Sequence, residues 1–322
     1  MDKSSRIYVA GHRGLVGSAI CRRLSRDGFS NLIVRDRAQL DLFNRDAVDA
    51  FFAAEKPDYV FAAAAKVGGI LANSTQPVEF LRDNLNIEIN LLDAAHRYSV
   101  RKIEMLGSSC IYPKLAPQPI KEEYLLSGPL EPTNEWYAIS KIAGIKLAQA
   151  YHQQYGLQAI SLMPTNLYGP GDNFDLNSSH VVPALMRKIH EAHLGGAPEV
   201  VVWGSGNPRR EFMHVDDMAD AAVFLMLHYD SPEIINVGVG TDVTIRELAE
   251  LISRIVGFRG QLRFDTSRPD GTPRKLLDTS RLSELGWRPR IGLEGGIRQA
   301  YKWFLSAVLG RESNIGLEHV AG

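Results

Sequence analysis

A chain of 322 residues is too long for most single hydrophobic cores and suits two domains. With 45% hydrophobic and 23% charged residues it has an ordinary soluble composition, and a net charge of -1 offers no overall field to nucleic acid or anionic lipid. Two cysteines, Cys21 and Cys110, exclude a disulfide framework, and no apolar run is long enough for a membrane span. The polar start "MDKSSRIYVAG" does not read as a signal peptide, so a cytoplasmic enzyme without nucleic-acid or membrane partners is the expectation.

In chain order, "RIYVAG", "NLIVR", "DYVFAAA", "KIEMLGS" and "LQAISLMP" read as buried strands of a parallel sheet. Between them, "VGSAICRRLSRDG", "RDAVDAFFAAEKP", "PVEFLRDNLNIEINLLDAAHRYSV" and "EWYAISKIAGIKLAQAYHQQYG" carry apolar residues at helical spacing. The alternation predicts an α/β fold, a Rossmann-type doubly wound parallel sheet, with a smaller C-terminal α/β domain. The expected nucleotide-binding domain covers 1–165 with segments near 215–238 returning to it. The substrate-binding domain takes 166–214 and 239–322. Gly, Pro, Asn and Asp become frequent after residue 165, which predicts long loops there, and helical patterns resume at "DDMADAAVFLML", "TIRELAELISRIVG" and "GLEGGIRQAYKWFL".

The first strand leads into "GHRGLVG", with Gly11, Gly14 and Gly17 three apart at a helix start, where a pyrophosphate can be held. After the second strand, Arg35 and Arg37, with Arg13 from the loop, favour the 2′-phosphate of NADP, while Asp36 speaks for the ribose hydroxyl of NAD. The fourth strand ends in "GSSC", which places Ser108 and Cys110 outside the carboxyl ends of the sheet. Tyr137 and Lys141, four apart, share one helix face, and the ammonium favours the phenolate form of the tyrosine. Ser108 can bond a substrate carbonyl oxygen that Tyr137 protonates. A thiol contributes nothing to a turn. Taken alone, Cys110 reads as a small buried hydrophobe whose place at a strand end the local sequence does not explain, and Cys21 reads as core. The second half offers Arg209, Arg210, Arg274 and Lys275 for phosphate groups. No cluster has metal-ligand spacing, so no metal is expected.

Gly-x-x-Gly-x-x-Gly, the strand-end Ser and Tyr-x-x-x-Lys resemble the extended short-chain dehydrogenase/reductases that act on nucleotide sugars. "AGHRGLVGSAI", "AAAKVGGI", "LGSSCIYPK", "EPTNEWYAISKIAGIKL", "MPTNLYGPGDNF", "VVWGSGNPRREFMHVDDMA" and "DGTPRKLLD" narrow the resemblance to the GDP-L-fucose synthases. It runs from about residue 5 to 305 and leaves out the tail "LGRESNIGLEHVAG". The resemblance implies a bifunctional enzyme: epimerisation at C3 and C5 of a GDP-linked 4-keto sugar, then NADPH reduction at C4. It implies Ser108, Cys110, Tyr137, Lys141 and His180 as the catalytic set, Cys110 and His180 being the proton-transfer pair. For NADP(H) it implies Gly11, His12, Arg13, Gly14, Leu15, Val16, Gly17, Arg37, Leu106, Gly107, Ser108, Lys141, Pro164, Thr165, Asn166, Leu167 and His180. For the GDP-sugar it implies Lys188, Trp203, Arg210 and Asp270, and for assembly a homodimer joined through a four-helix bundle. A nucleotide-sugar 4-epimerase or dehydratase would call for an acidic residue after the second strand. An NADP-binding regulator without turnover would not need Tyr137 and Lys141.

Overall fold

The inner strands of the large sheet are short runs whose side chains are nearly all buried, as expected when helices cover both faces of a sheet. The computed structural model describes residues 1–310 apart from Asn177 and Pro269; residues 311–322, assigned above to the substrate-binding domain, lie outside the described residues. The first half runs β1 (Ile7–Ala10), α1 (Leu15–Arg26), β2 (Leu32–Ile33), α2 (Arg45–Glu55), β3 (Tyr59–Ala62), α3 (Ile70–Thr75), α4 (Pro77–Arg97), β4 (Lys102–Leu106), α5 (Glu135–Tyr155) and β5 (Ala159–Pro164). The second half adds β6 (Asn166–Tyr168), α6 (Val181–Leu194), β7 (Glu199–Trp203), β8 (Arg209–Arg210), β9 (Phe212–His214), α7 (Val215–His228), β10 (Ile235–Val237) and β11 (Val243–Thr244). It ends with α8 (Ile245–Val256), β12 (Gln261–Asp265), β13 (Arg274–Lys275), α9 (Ser280–Glu284) and α10 (Leu293–Trp303).

Six strands pair in parallel in the order β10-β5-β4-β3-β1-β2. Alternate residues of β1 serve opposite faces, as the period of two demands. Ile7 and Val9 pack with Ile20 and Leu24 of α1 and Met218 of α7. Tyr8 and Ala10 pack with Phe52 of α2, Leu91 of α4 and Ala148 near the end of α5. The chain steps from β1 outward to β2, then returns to β3 on the other side of β1. That reversal opens a crevice beyond the carboxyl ends of β1 and β3, where an open α/β sheet receives its ligand. The doubly wound sheet predicted from sequence is present.

The loops predicted for 166–214 are a different matter. That stretch contains α6 and β7, and α6 buries Val182, Leu185, Met186 and Ile189 at helical spacing. Pro183 sits in the first turn, where no intrahelical N–H bond is lost, so it does not interrupt the helix. These side chains join Leu248, Ile252, Ile297 and Phe304 in a separate core built by α6, α8 and α10. In the predicted second strand only Leu32–Ile33 pairs, at the edge of the sheet.

One core position breaks the pattern. Glu104, in the middle of β4, is fully buried, and both carboxylate oxygens lack a hydrogen-bond partner. Lys102, two residues earlier and on the same face, spends its ammonium on the Leu225 and Met226 carbonyls and on Asp230. Burial raises the Glu104 pKa well above the ordinary carboxylate range, with Lys102 opposing it. The native state therefore holds a proton that the unfolded chain releases near pH ~4.3, so stability falls as pH rises from there through the folded value. Replacing Glu104 with Leu should raise stability at neutral pH by about 1–3 kcal/mol. Thermal melts should show the gain growing as pH rises through that window, and a variant that melts below the wild type would contradict this account.

Candidate active site

The crevice beyond β1 and β3 is lined by backbone. Gly11 has φ +76°, and a Cβ there would stand 2.6 Å from the Ala63 carbonyl oxygen; one at Gly17 would stand 2.2 Å from the Gly11 oxygen. Gly14 caps α1 without a side-chain hydrogen bond, so the first N–H groups of the helix, from Leu15 and Val16, face the crevice uncovered by any capping group. His12, in the same loop, has a buried Nδ1 with no partner. A glycine cradle at a 12-residue helix start, with an unsatisfied polar atom beside it, fits a dinucleotide pyrophosphate.

The three arginines proposed for the 2′-phosphate do not converge. Arg35 turns to Glu55 at 2.6 Å and to the Val34 carbonyl. Arg13 reaches from the glycine loop to Asp36 at 2.9 Å, and Arg37 lies over the Phe43 ring at 4.9 Å. Arg13 and Arg37 remain beside the end of β2. Arg35 does not, because Glu55 at the end of α2 offers it a carboxylate.

At the end of β4, Leu106 and Gly107 lead into a single 3₁₀ turn, Ser109–Ile111, capped by Ser108, whose Oγ accepts from the Cys110 N–H at 3.2 Å. The same turn thus fixes Ser108 and Cys110. From α5, Lys141 extends under the Tyr137 ring, 5.8 Å from its centroid. Its Nζ donates to the Leu106 carbonyl and to Glu88 of α4, both at 2.9 Å. Burial disfavours the Lys141 charge, but Glu88 and Tyr137 outweigh it and its pKa is raised. Glu88 itself is raised by burial, with Lys141 opposing.

The expectation for Tyr137 is met only in part. Burial raises its pKa, and the Lys141 charge and the nearby Ser108 hydroxyl lower it by less. The net direction is upward, which keeps Tyr137 a phenol at neutral pH, the form that can donate a proton. The Cys110 Sγ accepts from Asn134 Nδ2 at 3.3 Å and from Lys275 Nζ at 3.5 Å. Both donors aim at the sulfur, the arrangement needed to receive a thiolate. His180 is the N-cap residue of α6 and is exposed to solvent, while the protein around it desolvates the ring enough to lower its pKa and favour the neutral form. Its loop lies against the start of α3, where Gly69 faces the Ser179 carbonyl.

A second wall runs away from Cys110. The small sheet β11-β8-β13 sets Arg209 opposite Arg274 and Arg210 opposite Lys275. Arg209 and Arg274 share Asp242, and Glu247 stands 3.9 Å from Arg209, so carboxylates already engage both guanidinium groups. Arg210 stays near Asp270 and Cys110; burial lowers its pKa and those two neighbours raise it. Asp270 accepts from the Ser205 N–H at 2.7 Å, beside Trp203 at the end of β7. Lys188 of α6 and Arg268 each lie over the Trp203 ring at 5.0 Å. A continuous series therefore joins Cys110, Arg210, Asp270, Trp203 and Lys188. Lys114, held by Glu131 at 3.0 Å, lines the cleft beside Cys110 with Thr272 and Lys275.

At the end of β5, Pro164 and Thr165 are buried. Thr165 and Asn166 both donate from their side chains to the Glu211 carbonyl, at 3.2 and 2.8 Å, and Leu167 follows in β6. Sequence reasoning did not single out Glu88, Asn134 or Lys114. Glu88 carried a readable signal, since it stands with Phe80, Asn84 and Leu91 on the buried stripe of α4.

The chain matches the NAD dependent epimerase/dehydratase family over residues 7–238. It is 61% identical to a probable GDP-L-fucose synthase 1 of Oryza sativa subsp. japonica over 96% of this chain and 94% of that one. It is 56% identical to the GDP-L-fucose synthase of Escherichia coli strain K12, covering 93% of this chain and 96% of that one. A GDP-L-fucose synthetase of Naegleria fowleri, solved bound to NADP, superposes with TM-score 0.88 at 30% identity, over 95% of each chain. The glycine cradle, the Tyr137–Lys141 pair and these relatives agree: the chain belongs to the NAD dependent epimerase/dehydratase family and, within it, to the GDP-L-fucose synthases.

Proposed function

We propose that this protein converts GDP-4-keto-6-deoxy-D-mannose to GDP-L-fucose, epimerising C3 and C5 and then reducing the C4 ketone with NADPH. The observation that carries the reading is the single turn after β4. It presents Ser108 towards Tyr137 and Lys141 and, two residues on, presents Cys110 towards Asn134 and Lys275.

A ketone oxygen held by Ser108 and Tyr137 acidifies the protons on both neighbouring carbons. Cys110, as thiolate, removes such a proton, and the enolate charge is held at the oxygen by the same two hydroxyls. Return of a proton to the opposite face, from the imidazolium form of His180, which burial makes the stronger acid, inverts the centre. His180 recovers its proton from solvent, and Cys110 releases the one it took. Lys275 and Asn134 steady the sulfur while it carries charge. Bound NADPH would supply the hydride of the second reaction, in which Tyr137 gives its proton to the C4 oxygen. The Gly11–Gly17 loop, Arg13, Arg37 and Lys141 would hold the cofactor, the two arginines by matching the charge of a 2′-phosphate. Leu106, Gly107, Pro164, Thr165, Asn166 and Leu167 form the floor at the strand ends. Arg210, Lys188, Trp203 and Asp270 hold the GDP-sugar, Arg210 by matching diphosphate oxygens.

A homodimer belongs to the same reading. Val78 and Ile89 of α4, and Trp136, Ile139 and Tyr155 of α5, are exposed apolar side chains on the two long helices that cover one sheet face. Pairing α4 and α5 with their copies in a four-helix bundle would cover them. Cytoplasmic location rests on composition and on two free cysteines.

Two measurements follow. Tyr137→Phe should cut NADPH oxidation roughly a hundredfold or more while leaving Ser108 and Lys141 in place. Cys110→Ser should nearly abolish epimerisation while reduction of the unepimerised ketone persists slowly. Wild-type product stereochemistry from Cys110→Ser, assigned by NMR, would overturn the role given to the thiol. Light scattering at micromolar concentration should give twice the chain mass, and a monomer would count against the bundle.

A further inference from the structure

Among the described residues, Glu88 is the charged group that enters the active site from behind, through α4, and touches neither the cleft nor the strand-end turn. Its side chain is 5% exposed and that of Lys141 4%, and they meet at 2.9 Å. The other carboxylate oxygen, Oε2, is buried without a partner. The neighbouring helix makes room for it: a Cβ at Gly144 would stand 2.1 Å from that oxygen. Glycine in a helix interior is costly, and α5 continues for 11 residues beyond this one. Its absence of a side chain is what lets the carboxylate lie flat against α5, one turn after Lys141.

We infer that Glu88 is a positioning residue that keeps Lys141 protonated and aimed at the strand end, so that Tyr137 works beside a fixed positive charge. An ammonium carried into this interior alone would shed its proton, as buried lysines do. Glu88 and the Leu106 carbonyl take two of its three N–H bonds and leave one for a ligand. The charged groups facing the phenol and the ammonium are Glu88 from α4, Cys110 from the strand-end turn, and Tyr137 and Lys141 from α5. Lys66, over the Phe80 ring that edges Tyr137, is directed to Asp83 instead. The raised pKa of Lys141 agrees with this arrangement.

The inference rests on the proposed reductase reaction for its functional meaning, but its first test does not use that reaction. In cofactor-free enzyme labelled with ¹³C at lysine Cε, with the Lys141 signal assigned from Lys141→Met, the wild-type ammonium should stay protonated through the alkaline range. In Glu88→Gln, which keeps the size and one acceptor, the Lys141 titration should move down by roughly 2 units or more. The alkaline limb of kcat/KM for NADPH oxidation should move down with it, and activity should approach the wild type on the acid side. Gly144→Ala, which pushes the carboxylate aside, should produce a smaller shift of the same sign. A folded Glu88→Gln with both the Lys141 titration and the alkaline limb unmoved, losing only melting temperature, would make Glu88 a packing residue and overturn the inference. If Glu88→Gln does not fold, Gly144→Ala decides by the same two readouts. An absent reductase activity in wild type, with the Lys141 shift intact, would refute the reaction and leave the positioning role standing.

Discussion

A positive charge buried in the middle of the molecule is the constraint on which this site depends. Charges leave water only when paired and hydrogen-bonded, and removing one partner of such a pair is strongly destabilising. Lys141 meets that demand with a carboxylate from α4 and a carbonyl from the end of β4. The pair therefore sets three elements in register. α4 and α5 must lie side by side, α5 must carry a glycine where the carboxylate rests, and β4 must end with its last carbonyl turned towards α5. Once these hold, Tyr137 is one helical turn from Lys141 and beside Ser108.

The rest of the cleft is fixed by buried carboxylates used as structural connectors. Glu211, fully buried, accepts from the N–H groups of Val239, Gly240 and Leu277, so one side chain ties the end of β10 to the segment after β13. Glu122 accepts from the Asn236 N–H, and the Asn236 side chain bonds Tyr112, the Ile120 carbonyl and the Asp278 carbonyl. These connections carry β13 to the strand ends of the large sheet and leave Lys275 opposite Cys110. In the proposed reaction, proton transfer at carbon and proton donation at oxygen then meet at one turn, each beside its own fixed cation.

Much of this was legible in the sequence because it depends on local rules. The strands announced themselves as buried runs and the helices as periodic ones. Gly11, Ser108, Tyr137 and Lys141 sit where a strand end or a helix face requires them. What the sequence could not yield came from distant partners. Arg35 reads as a phosphate ligand until Glu55 is seen to claim it, and Arg209 and Arg274 read alike until both meet Asp242. The ammonium lowers the Tyr137 pKa as expected, yet burial, which depends on the whole fold, outweighs it. α6 was hidden by polar neighbours and by Pro183, whose position in the first turn makes it harmless. Glu88 was visible as an acid on an apolar stripe, but its partner lies 53 residues away.

The central claim is that one pocket moves protons at two carbons and hydride at a third. Reaction of the wild-type enzyme with GDP-4-keto-6-deoxy-D-mannose and unlabelled NADPH in deuterated water, with the product analysed by NMR, addresses it directly. The account predicts GDP-L-fucose with deuterium at C3 and C5 and protium at C4. A C4-reduced product carrying no deuterium at C3 and C5 would contradict it.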